Sequence, residues 1–135
     1  MLERVLIVVA LITVVLAAAR AARAVARRKA GVVLDQELPS RLVARLRGND
    51  AGIIFFHGAH CGDCRTQAAI LSRLACERGV TITPVDSAHE PEFASALAVL
   101  TVPSTVIVDR ARRVRAVNLG FRGREALEGQ LSGLM

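Results

Sequence analysis

A chain of 135 residues has room for one ordinary domain once any membrane segment is set aside. The net charge of +6 is uneven, because residues 1–30 carry six basic side chains and one acid while the rest is close to neutral. The chain has no Trp or Tyr and only four Phe, so it lacks the aromatic side chains on which single-stranded nucleic acids stack. Composition therefore argues against a nucleic-acid partner.

The first segment is apolar on every helical face. Val5–Ala19 contains no charge, and fifteen residues of helix reach about 22 Å, short of the roughly 30 Å hydrocarbon core of a bilayer. The alanine-rich continuation after Ala19 would complete a span if Arg20 and Arg23 extend their side chains to the interface. We expect one N-terminal transmembrane helix, with the lipid bilayer as a partner.

The basic residues indicate which way this helix points. Five of the six follow the apolar run, whereas an export signal carries its positive charge before that run. The positive-inside rule then predicts a single-pass membrane protein whose following domain lies on the cytoplasmic side. A cleaved export signal, favoured by the small residues Ala17–Ala19, remains the alternative. A buried helix of a soluble protein fits poorly with the basic cluster.

The pattern changes near Ala30-Gly31, so we divide the chain into an anchor with a basic flank, residues 1–30, and a domain, residues 31–135. The predicted elements of the domain are, in chain order, a strand at 31–34, a helix at 38–46, a buried strand at 52–56, a helix from Cys61 to about Arg78, a strand at 80–85, a helix from Pro91 through Leu100, a strand at 105–108, a strand at 114–119 and a helix from about Arg124 to Leu134. This alternation predicts an α/β sandwich with a mixed sheet of about five strands and four helices.

Two cysteines form the motif that carries chemistry. Cys61-Gly62-Asp63-Cys64 follows a predicted buried strand and opens a predicted helix. Unpaired N–H groups and the dipole at a helix N-terminus stabilise a thiolate, so Cys61 is predicted to be the nucleophile. Cys64, one turn later, would resolve the mixed disulfide. A pair of incidental buried thiols is the plain alternative.

A zinc site is the other reading of this spacing. Zinc needs four ligands, the chain has no second such cysteine pair, and adding His57 and His60 would crowd all four into eight residues. We therefore predict no metal and no organic cofactor. Cys76, alone late in the same helix, is interpreted as a small apolar filler.

These features together resemble the thioredoxin family. The resemblance covers residues 31–135 and rests on the strand before the cysteines, the C-G-x-C motif, the element order and Val102-Pro103-Ser104-Thr105. It implies a thioredoxin-like three-layer sandwich. It also implies that Val102 and a cis Pro103 lie beside the cysteine pair and dock substrate, together with His60, Gly62 and Asp63 around the cysteines.

Three positions depart from the family pattern. His60 stands where the family commonly has Trp, and Asp63 stands where it commonly has Pro. Phe55, six residues before Cys61, replaces the buried acid thought to assist deprotonation of the resolving thiol. Protonated His60 would favour a thiolate at Cys61 and ionised Asp63 would disfavour it.

The sequence predicts an enzyme, a membrane-tethered thiol:disulfide oxidoreductase that reduces protein disulfides. Its partners would be a protein disulfide substrate and an upstream reductase or dithiol donor. Two alternatives stay open. One is the same chemistry on the extracytoplasmic side, and the other is a non-catalytic thioredoxin-like adaptor that binds through the Pro103 surface.

Overall fold

A computed structural model describes residues 1–134, except that the side chains of Ala30 and Val32 are left out of the description. Met135, the last residue of the predicted domain, lies outside this range. Backbone contacts divide the chain into two compact units, the first ending at Val32 and the second beginning at Val33. Each unit is described by itself.

The first unit is a single helix, α1, which runs over Leu2–Val33. Its large apolar side chains are exposed, and the stretch Leu2–Lys29 is long and apolar enough to cross a membrane, a property that an export signal near an N-terminus shares. The one hydroxyl in the apolar run, on Thr13, donates to the carbonyl of Ala10 at 2.8 Å. This bond pairs the hydroxyl of Thr13 within the helix itself.

The strand predicted at Gly31–Leu34 is wrong, because α1 continues to Val33. The residues before it are mostly alanine and arginine, which are strong helix formers. Extending an existing helix adds one hydrogen bond for each residue fixed, so the helix runs on until the turn at Asp35, where φ is 64°. Only an isolated bridge between Glu37 and Arg113 follows, and the described sheet therefore has four strands instead of about five.

Beyond the end of α1, the described residues of the second unit form four helices and four strands. In chain order they are α2 (Ser40–Val43), β1 (Gly52–His57), α3 (Gly62–Arg78), β2 (Thr81–Asp86), α4 (Pro91–Ala96), β3 (Ser104–Val108), β4 (Val114–Leu119) and α5 (Arg124–Ser132). Helices α2 and α4 are shorter than predicted. The helix predicted to reach Leu100 ends earlier because Ala98 takes a positive φ of 54°, which an α-helix does not accommodate.

The sheet has the strand order β2-β1-β3-β4 and is mixed, as predicted. Strand β1 pairs in parallel with β2, with Phe55 opposite Pro84 and His57 opposite Asp86. Strand β3 is antiparallel to both β1 and β4. The parallel start and the antiparallel end follow from the two kinds of connection, a helical crossover for β1 to β2 and a short turn for β3 to β4.

Helices cover both faces of this sheet, which gives the three layers that were predicted. Side chains alternate along β1, so Ile54 and Phe56 join a core with α2 and α4, while Ile53 and Phe55 join a second core with α3 and α5. The two cores thus lie on opposite faces of β1, which ends at His57. The chain leaves the sheet there and enters the cysteine motif.

The turn between β3 and β4 is fastened by charged groups. Asp109 accepts a hydrogen bond from the Arg113 N–H at 3.0 Å and another from Arg115 Nε at 2.7 Å. Burial raises the pKa of Asp109, but the hydrogen bonds from these two donors lower it by more, so the pKa lies below its usual range. Arg115, on β4, forms ion pairs with both Asp35 and Asp109.

Candidate active site

Cys61 caps the N-terminus of α3. Its backbone is extended, with φ −114° and ψ 102°, and the helix begins at the next residue, Gly62. The Cys64 N–H donates to Cys61 Sγ at 3.2 Å, so the sulfur replaces the side-chain oxygen that usually caps a helix. The two cysteines form a disulfide, with their Cα atoms 5.3 Å apart.

The two sulfurs differ in access to solvent. Cys61 is half-buried, whereas only 7% of Cys64 is exposed, and Cys64 belongs to the core beneath α3. An incoming disulfide therefore meets Cys61 first. A nucleophilic thiol must be accessible to substrate, whereas a resolving thiol can be buried beside it, so the exposures of the two cysteines agree with the predicted roles. The roles themselves stay a prediction.

The three predicted contact residues beside the cysteines lie at the surface. His60, Gly62 and Asp63 are all exposed. A side-chain carbon added at Gly62 would meet no other atom within 4 Å, so the space in front of the helix start is open. The structure thus places these residues around Cys61 and leaves their contact with substrate as a prediction.

The Val102–Pro103 peptide bond is cis. Val102 and Cys61 pack against the same hydrophobic core, which brings the Pro103 loop and the cysteine pair to one end of the sheet. Gly58 makes this approach possible, because a Cβ at that position would lie 3.2 Å from Val102 Cγ2. The two segments that the sequence proposed as a joint site, 39 residues apart in the chain, are therefore neighbours in the fold.

Gln67 is a site residue that sequence reasoning missed. Its side chain is fully buried on α3, one turn after Cys64, and binds the backbone of Arg122 in both directions. Nε2 donates to the Arg122 carbonyl at 3.0 Å, and Oε1 accepts from the Arg122 N–H at 2.7 Å. The only sequence signal was an amide on the inner side of the helix, where the other buried residues are Cys64, Leu71 and Leu74. Its partner is 55 residues away.

A second missed feature is a pair of exposed apolar side chains near Pro103. Among the large apolar residues of the described part of the second unit, only Leu34, Leu100 and Phe121 are exposed, at 45%, 60% and 45%. Leu100 precedes Pro103 by three positions. Phe121 follows Gly120, whose N–H donates to Ser104 Oγ at 3.4 Å. Leu100 and Phe121 thus flank the Pro103 loop, and we call these two exposed side chains the Leu100/Phe121 surface.

A cavity of about 460 Å³ adjoins the disulfide on the side of β2. Its lining comes from three elements. Helix α3 and its cap contribute Cys61, Cys64, Arg65, Ala68, Leu71 and Ser72. The end of β1 contributes Phe55, His57 and the adjoining Gly58, and β2 contributes Ile82 and Pro84. Arg65, Ser72 and Pro84 are exposed, so the cavity opens to solvent. No Asp or Glu belongs to its lining.

Two acidic residues on the elements that frame the site, Glu77 near the end of α3 and Asp86 at the end of β2, are hydrogen-bonded to groups other than the cysteines. A hydrogen bond from Arg124 holds the pKa of Glu77 below its usual range, and the Ala88 N–H does the same for the pKa of Asp86, with His89 contributing. Within the described residues no group of three His, Cys, Asp or Glu side chains is placed to hold a metal ion.

Cys76 is exposed and unbonded, so its interpretation as a small apolar filler is wrong.

Solved structures with the same fold include a mutant thioredoxin from Halobacterium salinarum, with a TM-score of 0.64 at 20% identity over 73% of this chain and 86% of that one. A malaria parasite thioredoxin-2 aligns with a TM-score of 0.57 at 16% identity over 62% of this chain and 82% of that one. These likenesses confirm the thioredoxin-like fold. Together with the thioredoxins that are similar in sequence, this fold and its close cysteine pair support the general class of thiol:disulfide oxidoreductases.

Relatives in sequence agree. A thioredoxin from Alicyclobacillus acidocaldarius is 26% identical over 67% of this chain and 87% of its own length. A bifunctional thioredoxin reductase/thioredoxin from Mycobacterium leprae is 26% identical over 80% of this chain, which spans only 24% of that protein. The family model described as TraF: F plasmid transfer operon protein matches residues 18–131. The chain belongs to this thioredoxin-like family.

Proposed function

We propose that the protein is a membrane-tethered oxidoreductase that reduces protein disulfides through Cys61 and Cys64. The observation that carries the proposal is the cap of α3, where an accessible Cys61 sulfur accepts the Cys64 N–H and the Cys64 sulfur lies behind it. That N–H and the helix dipole stabilise negative charge on Cys61, and a thiolate is the form that attacks disulfides.

The reaction has two exchange steps. The Cys61 thiolate attacks one sulfur of a substrate disulfide, forming a mixed disulfide and releasing the other sulfur as a thiolate that takes up a proton. The Cys64 thiolate then attacks Cys61 Sγ, forming the intramolecular disulfide and releasing the second substrate thiol. Two electrons pass to the substrate, so the pair must be reduced again before the next cycle. The chemistry needs no metal or organic cofactor.

The substrate would lie across the Pro103 loop. Val102 and Pro103 supply the wall beside Cys61, and His60, Gly62 and Asp63 supply the rim. The Leu100/Phe121 surface adds exposed apolar area that a protein substrate can cover and a small disulfide cannot. The Mycobacterium leprae relative is named as a reductase joined to a thioredoxin, which supports a separate reductase or dithiol donor for this chain.

Residues 1–30 would form the anchor and residues 31–135 the thioredoxin-like domain. The exposed apolar surface of α1 supports a single membrane span, and the basic residues after it support a cytoplasmic position for the domain. The active cysteines would then work at the inner membrane surface. The cytoplasm is reducing, which favours the dithiol form of the pair.

Trapping a mixed disulfide tests the proposal. The full chain carrying Cys64→Ser cannot resolve the intermediate, so it should accumulate covalent adducts with protein substrates that dithiothreitol releases. All variants should also carry Cys76→Ser, because this exposed thiol would form adducts of its own. The matched control adds Cys61→Ser. Equal adduct formation with and without Cys61, together with no disulfide reduction by the unsubstituted pair, would leave the non-catalytic adaptor as the better account.

Topology is tested separately. A reporter attached to the C-terminus that is active on one side of the membrane only should give its cytoplasmic signal, and the protein should stay in the membrane fraction after alkaline washing. A signal from the other side would favour the extracytoplasmic oxidoreductase. Recovery of a shortened, soluble product would favour a cleaved export signal.

A further inference from the structure

We propose that His57 is the base that removes the proton from Cys64 when the mixed disulfide is resolved. The inference rests on the proposed function, because it concerns the second of the two exchange steps. It starts from a difference between the two thiols. Cys61 is half-buried, whereas only 7% of Cys64 is exposed and Cys64 lines the cavity beside it.

The lining of that cavity leaves one candidate. Arg65 lines it but stays protonated at every relevant pH, and Ser72 is a far weaker base than a thiolate. The described lining contains no carboxylate, since Phe55 stands where the family has an acid. His57 also lines it, and an imidazole is the side chain that accepts and returns a proton near neutral pH.

The position of His57 is fixed by its strand. It is the last residue of β1, its ring contacts that of Phe55 at 5.6 Å between centroids, and its carbonyl accepts the Ser87 N–H at 3.0 Å. The cavity volume of about 460 Å³ is ample for water, so the proton can pass directly or through one water molecule. Strand and helix thus hold base and thiol at one opening.

Neither Arg65 nor Asp86, two charged residues near His57, is a suitable proton acceptor for Cys64. From α3, Arg65 adds positive charge that favours a Cys64 thiolate. From β2, Asp86 is the register partner of His57, but its carboxylate accepts the N–H groups of Ala88 and His89 and pairs with the His89 ring at 3.1 Å. Asp86 is therefore held ionised and is a poor proton acceptor at neutral pH.

The proposed step balances as follows. The Cys64 Sγ–H proton moves to the His57 imidazole, and the thiolate attacks Cys61 Sγ. The Cys61–Cys64 bond forms as the bond between Cys61 and the substrate sulfur breaks, and that sulfur leaves with the electron pair. The imidazolium gives its proton to the departing thiolate, directly or through water, so His57 ends the cycle neutral.

A chromogenic disulfide separates the two steps. The full chain with Cys76→Ser, reduced and held in detergent, is mixed with dithiobis(nitrobenzoate) in a stopped-flow instrument. The first thionitrobenzoate release reports attack by Cys61, and the second reports attack by Cys64. With His57→Gln we expect the second phase to slow by about tenfold to a hundredfold, which is at or below the lower end of what a positioned base contributes. The first phase should stay within about twofold.

The pH profile distinguishes a base from a structural residue. In the chain that retains His57, the second-phase rate should rise with pH and level off near neutrality, and His57→Gln should remove that plateau. The matched control is His89→Gln, the same change at an exposed histidine outside the cavity. It removes the ring that pairs with Asp86 but leaves the backbone N–H groups of Ala88 and His89 that hold this carboxylate, so both the rate and the plateau should be kept.

Two results would overturn the inference. One is a second phase in His57→Gln within about twofold of the control across about pH 6 to 8. The other, which stands even if His57→Gln does not fold, is a second phase, in the Cys76→Ser chain that retains His57, that rises tenfold per pH unit with no plateau near neutrality. Loss of the first phase as well would instead contradict the proposed function.

Discussion

Replacement of Gln67 by Leu is a demanding prediction, because the residue lies away from the reacting sulfurs yet joins two parts of the site. The side chain is fully buried and makes two hydrogen bonds to the Arg122 backbone, at 2.7 and 3.0 Å. Each such bond contributes about 1 kcal/mol net, so removing both should lower the free energy of unfolding by about 2 kcal/mol. Leu fills nearly the same space, and the loss therefore reports the bonds more than a cavity.

For a domain of about a hundred residues this loss lowers the melting temperature by about 10 °C. Thermal unfolding of the full chain in detergent, followed by circular dichroism, measures it. The control is Thr66→Leu, an exposed position on the same helix, which should change stability by less than about 0.5 kcal/mol. A shift below about 3 °C for Gln67→Leu would show that water replaces the two bonds without loss.

Other substitutions test the remaining parts of the site. Gly58→Ala should push Val102 aside, reduce stability by about 1 kcal/mol, and raise the KM for a protein disulfide, measured by unfolding and by turnover. Phe121→Ala should slow reduction of a protein disulfide about tenfold but leave a small aryl disulfide unaffected, whereas the equally exposed Leu34→Ala should change neither rate. The folded pKa of Asp109 is lowered, so its contribution to stability is complete above its unfolded value of 3.8 and is lost as pH falls through the folded pKa. Asp109→Asn should therefore flatten the stability profile below about pH 4, and an unchanged profile would contradict this assignment.

Local patterns explain why much of the fold was predictable. The apolar run of β1, the glycine that ends α3 and the β-branched residues of β3 each act over a few neighbours, and all three elements appear where expected. The strand predicted at Gly31–Leu34 failed for a reason of the same kind. Helix α1 begins far upstream and extends through this segment to Val33. The pattern of residues 31–34 taken alone contains no sign of that helix.

The candidate site divides in the same way. The Cys61/Cys64 motif was found because a helix start and a three-residue spacing are local. The bond between Gln67 and Arg122 and the placement of Phe121 depend on pairs far apart in the chain, so periodicity carried no sign of them. The cavity was also hidden. It exists because the register sets Phe55 opposite Pro84 beneath α3, and register becomes visible only when the sheet is assembled.

Catalysed reduction of a protein disulfide tests the central claim most directly. The full chain in detergent is mixed with insulin and dithiothreitol, and cleavage of the insulin disulfides is followed by the turbidity of the released chain. We predict acceleration over dithiothreitol alone, retained by Cys76→Ser and abolished by Cys61→Ser. A rate no greater than the dithiothreitol blank, or one that Cys61→Ser leaves unchanged, would contradict the assignment of this cysteine pair as a protein-disulfide reductase.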